Sequence, residues 1–183
     1  MFQNIDNNVL LWFNSMHSEA LNPFVVFFTT GTTWIPLYVL LIILIFYRFP
    51  RRHAILFVAF AIGCVLITAG VNELLVKPLV ARPRPLHNEE ISGLMHLVPG
   101  YIPSGYSFFS SHSANTSTIA VFISQVFRNR WMTTLMLSYC LVNAFTRLYL
   151  CVHYPSDVLV GLTFGTLTAF FMYRLAAKTI FKV

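Results

Sequence analysis

The sequence predicts an all-α integral membrane protein, a single domain over residues 1–183. It is expected to be a helical bundle of about five transmembrane helices preceded by an N-terminal interfacial helix. Three observations predict this class. Hydrophobic residues make up 57% of the chain and charged residues only 10%, whereas a soluble domain carries about 25% charged residues. The apolar residues fall in uncharged runs near the length a spanning helix needs, about 17–25 residues. The basic residues behind the net charge of +6 sit in short loops between those runs. They are not gathered on an amphipathic surface, which argues against a nucleic-acid partner.

The elements follow in order. Within residues 1–19, Ile5, Val9, Trp12, Phe13 and Met16 recur at helical spacing with Asn4, Asp6, Asn7 and Asn14 between them. That pattern predicts a short helix lying in the membrane interface. No basic region precedes the first apolar stretch, so a cleavable signal peptide is not expected and the first span serves as its own targeting signal. No charge occurs from Ala20 to Tyr47, which places span one within Asn22–Tyr47. Ala54–Asn72, bounded by Arg52 and Glu73, is span two. Ser113–Phe127 and Trp131–Phe145, joined by Arg128, Asn129 and Arg130, form a helical hairpin. Its ends continue through Ser110–His112 and Arg147–Leu150, and these polar ends must face protein or a water-filled cavity. Val158–Tyr173, begun at Pro155, is the last span. Residues 73–112 form the one long non-spanning segment, rich in Pro and Gly, and loops of this length tend to be functional. Cys64, Cys140 and Cys151 lack disulfide-framework spacing and read as packing residues. His17 and His53 fall near span ends, while His87, His96, Glu89 and Glu90 read as solvated loop residues.

Cytoplasmic loops are enriched in Lys and Arg. Arg48, Arg51 and Arg52, then Arg128 and Arg130, then Arg174, Lys178 and Lys182 fall on one face of a five-span protein, which is therefore cytoplasmic. Lys77, Arg82, Arg84 and Arg147 fall on the opposite face with His112, His153 and Asp157. Charge placed against the topological tendency needs another reason, and binding a multiply charged anion is the simplest.

Three segments carry that charge: Lys77 to Pro85, Phe109-Ser110-Ser111-His112, and Thr146-Arg147 to His153 and Asp157. Lys and Arg bind phosphate, so Lys77, Arg84 and Arg147 could neutralise a phosphate and its transition state. Arg82 could touch the phosphate or only line the loop. Two histidines suggest a division between attack and protonation of the leaving oxygen. Pro155 suits a first helical position, which puts Asp157 in the first turn, able to accept a hydrogen bond from a ring nitrogen of His153. The same pair could instead be purely structural, or ligate a metal at helical spacing. At least three nearby cations would repel a divalent ion.

The pattern resembles the type-2 phosphatidic acid phosphatase superfamily, which includes bacterial membrane lipid phosphatases, glucose-6-phosphatase and vanadium haloperoxidases. Lys77, Arg84 and Pro85 match its first motif. Its second, Pro-Ser-Gly-His, here reads Phe109-Ser110-Ser111-His112, with Phe for Pro and Ser for Gly. Its third reads Thr146-Arg147, then His153 and Asp157, with Thr for Ser. A Pro-Ser-Gly run does occur at Pro103-Ser104-Gly105, but Tyr106 follows it. The resemblance implies metal-independent chemistry without a cofactor. In it His153 is the nucleophile forming a phosphohistidine, Asp157 its orienting partner, and His112 the acid and later the base. Lys77, Arg84, Arg147, Ser110 and the Ser111 backbone would hold phosphate. The charge distribution places residues 73–112 and the site on the extracytoplasmic face, and the small size without a soluble domain suggests a multi-pass protein of a bacterial cytoplasmic (inner) membrane whose substrate enters laterally from the outer leaflet. The expected substrates are lipid phosphates: undecaprenyl diphosphate, lipid A phosphate, phosphatidylglycerophosphate or phosphatidic acid. A lipid phosphotransferase using the same phosphohistidine is the alternative. A non-catalytic anion transporter or lipid-binding protein is a third reading, though no transporter-like repeat is visible.

Overall fold

The computed structural model describes residues 2–101 and 103–181. Among these residues the protein is helical, without strands: α1 (Phe2–Asn14), α2 (Asn22–Thr29), α3 (Ile35–Arg48), α4 (Arg51–Val71), α5 (Lys77–Val80), α6 (Ser111–Phe127), α7 (Arg130–Tyr149) and α8 (Pro155–Phe181). Gly31–Arg48, Arg51–His87 and Pro155–Phe181 are long and apolar enough to cross a membrane.

α6 and α8 form the tightest seam. A Cβ on Gly165 would lie 2.1 Å from the Ala114 carbonyl oxygen and 2.2 Å from Ser117 Oγ, and one on Gly161 would lie 2.6 Å from the Ser110 carbonyl oxygen. Glycines here let the backbones touch, and Thr118 Oγ1 donates across the seam to the Gly165 carbonyl at 3.2 Å. Small residues with cross-helix hydrogen bonds are how helices associate where lipid supplies no hydrophobic drive. Leu41, Ile45, Phe57, Phe122, Met136 and Ala169 fill the core around this pair. α6 and α7 are less apolar than the other long helices because their polar side chains face inward: Ser113, Thr116, Ser117, Asn143, Thr146 and Arg147 are all buried.

Two boundaries depart from the sequence expectation. The run Asn22–Tyr47 is broken after Thr29 by a short 3-10 turn, Gly31–Trp34. Side chains take the carbonyls that a continuing helix would use: Thr33 Oγ1 donates to Phe27 and Trp34 Nε1 to Phe28, a local competition with helix bonding. At the other end, the helix passes Asn72 through a π-helical turn, Asn72–Val76, into α5. It stops where Ala81 turns left-handed at φ 46°. The first part of residues 73–112 is therefore helical, and the irregular segment begins at residue 81.

α1 also sits differently from a helix that merely floats. Its buried face is Asn7, Leu10 and Asn14, while Ile5, Val9 and Trp12, and Met16 in the turn that follows, are exposed. Asn14 Nδ2 donates to the carbonyls of His96 and Tyr149, and Asn14 Oδ1 accepts from His96 N. His96 is thus pinned between the loop and α1, not freely solvated.

The helices separate two charged ends. Arg48, Arg128, Arg174 and Lys178 line one pocket, and Lys182 lies outside the described residues. α4, continued through the π-helical turn into α5, and α8 each run from one end to the other, carrying Lys77 and Asp157 at the far end.

Candidate active site

His153 follows a tight turn after α7, in which Cys151 is left-handed at φ 52° and Val152 N donates to the Arg147 carbonyl. Burial pushes the Cys151 thiol up to about 12, so it is an inert packing group. The His153 ring is buried, and its protonation pattern follows from its neighbours. Nδ1 lies 2.8 Å from the Ser107 carbonyl oxygen, which can only accept. Nε2 lies 3.4 Å from Arg84 Nη1, which can only donate. Nδ1 therefore carries the hydrogen, and Nε2 keeps its lone pair. Burial, reinforced by the Arg84 and Arg147 charges and opposed by Asp157, holds the ring's pKa down at about 4. The imidazole is neutral at pH 7, as a nucleophile requires.

The expected hydrogen bond from His153 to Asp157 is not made: Nδ1 and Oδ2 are 3.8 Å apart. The reason is local. Tyr154 caps α8, and the Asp157 carboxylate turns back to its own helix start, accepting from Tyr154 N at 3.0 Å, a capping-box geometry. Ser107 fills the gap. Its Oγ donates to Asp157 Oδ2 at 2.5 Å while its carbonyl holds the His153 ring. Asp157 thus acts on His153 through Ser107 and through its charge. Nothing in the sequence marks Ser107, because half of its role belongs to the backbone.

The guanidinium groups differ. Arg82 Nη1 donates to Asp157 Oδ1 at 2.5 Å and to Ser156 Oγ at 2.8 Å, and Nη2 donates to Asp6 of α1 at 2.8 Å. The group also stacks on Tyr154, 3.9 Å from the ring centroid. Its bonds run to carboxylates, so it braces Asp157 instead of facing a ligand. Arg84 gives Nε and Nη2 to the carbonyls of Ser104 and Gly105 and Nη1 to that of Val152. The Pro103-Ser104-Gly105 run thereby orients Arg84. Arg147 is 3% exposed. Its Nε reaches Thr146 Oγ1 and its Nη1 reaches the Tyr101 hydroxyl. Its Nη2 is buried without a partner among the described residues. A buried charged donor left unpaired is costly, and an anion would satisfy it.

His112 lies in the first turn of α6. Its Nε2 donates to the Thr29 carbonyl at 3.2 Å, so Nδ1 is the atom free to exchange a proton. Thr29 Oγ1 in turn bonds Thr146 Oγ1 at 3.0 Å, tying α2 to the Arg147 segment. Ser110 is the N-cap of α6: its Oγ accepts from Ser113, and its amide donates to the Asp157 carbonyl. The amides of Ser111 and His112 begin the helix and have no intrahelical acceptor, which makes this end receptive to an anion. Ser111 Oγ donates to Glu73 at 2.6 Å and accepts from Asn72 at 2.6 Å. Lys77 Nζ is paired with the same Glu73 oxygen at 2.7 Å. Glu73 and Asn72, like Asp6 and Thr29, are site neighbours that spacing alone does not reveal.

A buried imidazole with a free ring nitrogen beside a guanidinium group has the chemistry that transfer of a tetrahedral oxyanion such as phosphate would use. Comparison with known proteins agrees. Residues 54–181 match the model of the PAP2 superfamily, and the chain belongs to that superfamily. The lipid A 4'-phosphatase of Bacteroides thetaiotaomicron is 34% identical over 176 residues, covering 95% of this chain and 78% of that protein. The undecaprenyl-diphosphatase BcrC of Bacillus subtilis is 28% identical over 162 residues, covering 87% and 77%. In fold, the chain is similar to the crystal structure of a transmembrane PAP2-type phosphatidylglycerolphosphate phosphatase from Bacillus subtilis. That match has a TM-score of 0.73 at 20% identity and covers 97% of this chain and 87% of that one.

Proposed function

We propose that the chain hydrolyses a phosphate from a membrane lipid phosphate through a phosphohistidine on His153, without a metal ion or cofactor. The observation that carries this reading is the state of the His153 ring: neutral, its Nδ1 hydrogen fixed by the Ser107 carbonyl and its Nε2 lone pair beside Arg84. Nε2 attacks phosphorus and the bond from phosphorus to the lipid oxygen breaks, while His112, entering the step as the imidazolium with its second proton on Nδ1, delivers that proton to the leaving oxygen and becomes neutral. Water then attacks the phosphohistidine and gives its proton to His112, and the P–N bond breaks to release inorganic phosphate. Arg147, Arg84, Lys77 and the first amides of α6 hold the phosphoryl oxygens as charge moves onto them. Ser110 supports that cradle as the cap of α6.

Five spans complete the topology: the broken first span ending in α3, then α4, α6, α7 and α8, with α1 in the interface and its Ile5, Val9 and Trp12 face in lipid. The basic pocket of Arg48, Arg128, Arg174 and Lys178 supports a cytoplasmic assignment for that end. The histidines then face the extracytoplasmic side of a bacterial inner membrane, where a lipid can enter laterally from the outer leaflet.

The test is a panel of lipid phosphates assayed in detergent with chelator, comparing wild type with His153→Ala. Phosphate release that persists at the wild-type rate in His153→Ala overturns the mechanism. A tag inserted near Asn88 that reports a cytoplasmic location overturns the topology. Transfer of phosphate to an added second lipid, in place of release, would establish a phosphotransferase.

A further inference from the structure

Four cations gather at the site, but three carboxylates are in direct contact with them. Arg82 is bonded to both Asp6 and Asp157, and Lys77 is bonded to Glu73. Among the described residues, Arg84 and Arg147 donate to neutral acceptors only. Four positive charges against three negative ones leave one net positive charge among the Lys, Arg, Asp and Glu side chains of the site. A phosphate monoester brings roughly −1.5 to −2 charges near neutral pH, which such a site can take. A diphosphate brings at least one further negative charge, for which the site holds no further unpaired Lys or Arg among the described residues.

Glu73 is the carboxylate placed to enforce this. Its Oε1 accepts from both Lys77 and Ser111, the two phosphate-facing groups on its side of the site. It is the outer member of its ion pair, with a side chain 50% exposed against 12% for Lys77. The position is built: the π-helical turn Asn72–Val76 sets Glu73 and Lys77 on one face, and Asn72 anchors Ser111 and the Phe109 carbonyl beside them. π-helical turns often mark functional positions. A phosphoryl group seated on Lys77 and the start of α6 would leave Glu73 against the next group of the leaving lipid. An ester oxygen or a sugar hydroxyl is tolerated there, and a hydroxyl can donate to the carboxylate. A second phosphate meets a like charge.

We infer that Glu73 is a specificity-determining residue that restricts the site to lipids bearing a single terminal phosphate and disfavours lipid diphosphates. This rests on the hydrolase reading above.

The test uses one isoprenoid chain as both monophosphate and diphosphate, in matched detergent micelles, with kcat/KM measured for wild type, Glu73→Gln and Glu90→Gln. Gln keeps an acceptor for Ser111 and Lys77 and removes only the charge. Glu90 contacts Asn7 outside the site and controls for overall charge. The expected result is a wild-type preference for the monophosphate. In Glu73→Gln the preference should shift toward the diphosphate by about 10-fold (~1.4 kcal/mol), a shift that shrinks at high salt. Glu90→Gln should leave the ratio unmoved. Equal or better wild-type turnover of the diphosphate overturns the proposal. So does an unchanged ratio in Glu73→Gln, or the same shift in Glu90→Gln. Release from neither lipid overturns the hydrolase reading and this proposal with it.

Discussion

Ser107→Ala separates two roles that the sequence would merge into Asp157. Ser107 is fully buried. Its hydroxyl donates to Asp157 Oδ2, and its backbone carbonyl accepts the His153 Nδ1 hydrogen. Alanine removes the first bond and keeps the second. Asp157 retains Arg82 on Oδ1 and Tyr154 N on Oδ2, so the loss is one of three bonds to a buried carboxylate. Hydrogen bonds to charged groups contribute about 1.5–3 kcal/mol. With two bonds remaining, the lower end applies, about 1.5–2 kcal/mol of stability. At about 2–4 °C per kcal/mol for a chain of this size, the melting midpoint in detergent should fall by about 3–8 °C. The ring tautomer survives, because no side-chain change removes a carbonyl. kcat should therefore fall only about 10-fold, against the roughly 10⁴-fold loss seen when a catalytic histidine takes the wrong tautomer. The assay is kcat for phosphate release from a lipid monophosphate, paired with a fluorescence melt. A folded Ser107→Ala protein that loses more than about 10³-fold in kcat would refute the reasoning, because the hydroxyl, not the carbonyl, would then be holding the ring.

Gly165→Ala forces a Cβ to within 2.1 Å of the Ala114 carbonyl oxygen and should cost about 3 kcal/mol or more. Gly63→Ala, whose Cβ meets only Met172 Cε at 3.7 Å, should leave the melt unchanged or raised; equal melts for the two variants would refute the seam. Asp6→Asn removes one of the two carboxylate charges on Arg82 and one of the two oxygens that accept from Arg82 and Ser156. It should lower kcat about 3–10-fold, with Asp6→Glu restoring part of it, and an unchanged kcat would show that α1 does not reach the chemistry. Because the His153 ring is neutral above about pH 4, single-turnover phosphoenzyme formation should hold as pH falls through 6.5 and weaken only near 4; a half-point at the ordinary histidine value would refute this. The sign for stability follows: the unfolded ring binds its proton at a higher pH than the folded one, so this residue's contribution is lost as pH falls from about 6.5 to about 4.

The membrane class and the outline of the site were legible because both rest on patterns the backbone cannot easily hide. Uncharged runs mark spans by their length, and the spacing of Lys77, Arg84, His112, Arg147, His153 and Asp157 carried the resemblance to the superfamily, to which the chain belongs. Other features were not legible, for three physical reasons. Ser107 and Thr29 act through carbonyl oxygens, which every residue has, so their identity carries little signal. Asp6 reaches Arg82 and Ser156 only after α1 folds back across the molecule. The apolar spacing in α1 correctly marked a helix, yet its functional face is the polar one. The spacing of His153 and Asp157 brings the two side chains near each other, but His153 precedes the helix. Once Tyr154 caps α8, the carboxylate is drawn to the helix start and to Ser107 instead of the ring.

The three arginines show why residue type alone could not apportion the site. Each guanidinium is defined by what its donors meet. Arg82 meets carboxylates, so its charge is cancelled and its fork becomes a brace between α1 and α8. Arg84 meets neutral carbonyls, so its direction is fixed while its charge stays available beside His153 Nε2. Arg147 keeps both its charge and a buried, unpaired donor, so it retains the most for an incoming anion. In sequence all three are basic residues on the wrong face for topology. In the fold, only those whose acceptors are neutral or absent still hold charge for a phosphate. The same rule extends to Lys77, whose charge is already shared with Glu73. The ability of such a site to bind phosphate therefore follows the pairing of its cations more closely than their number.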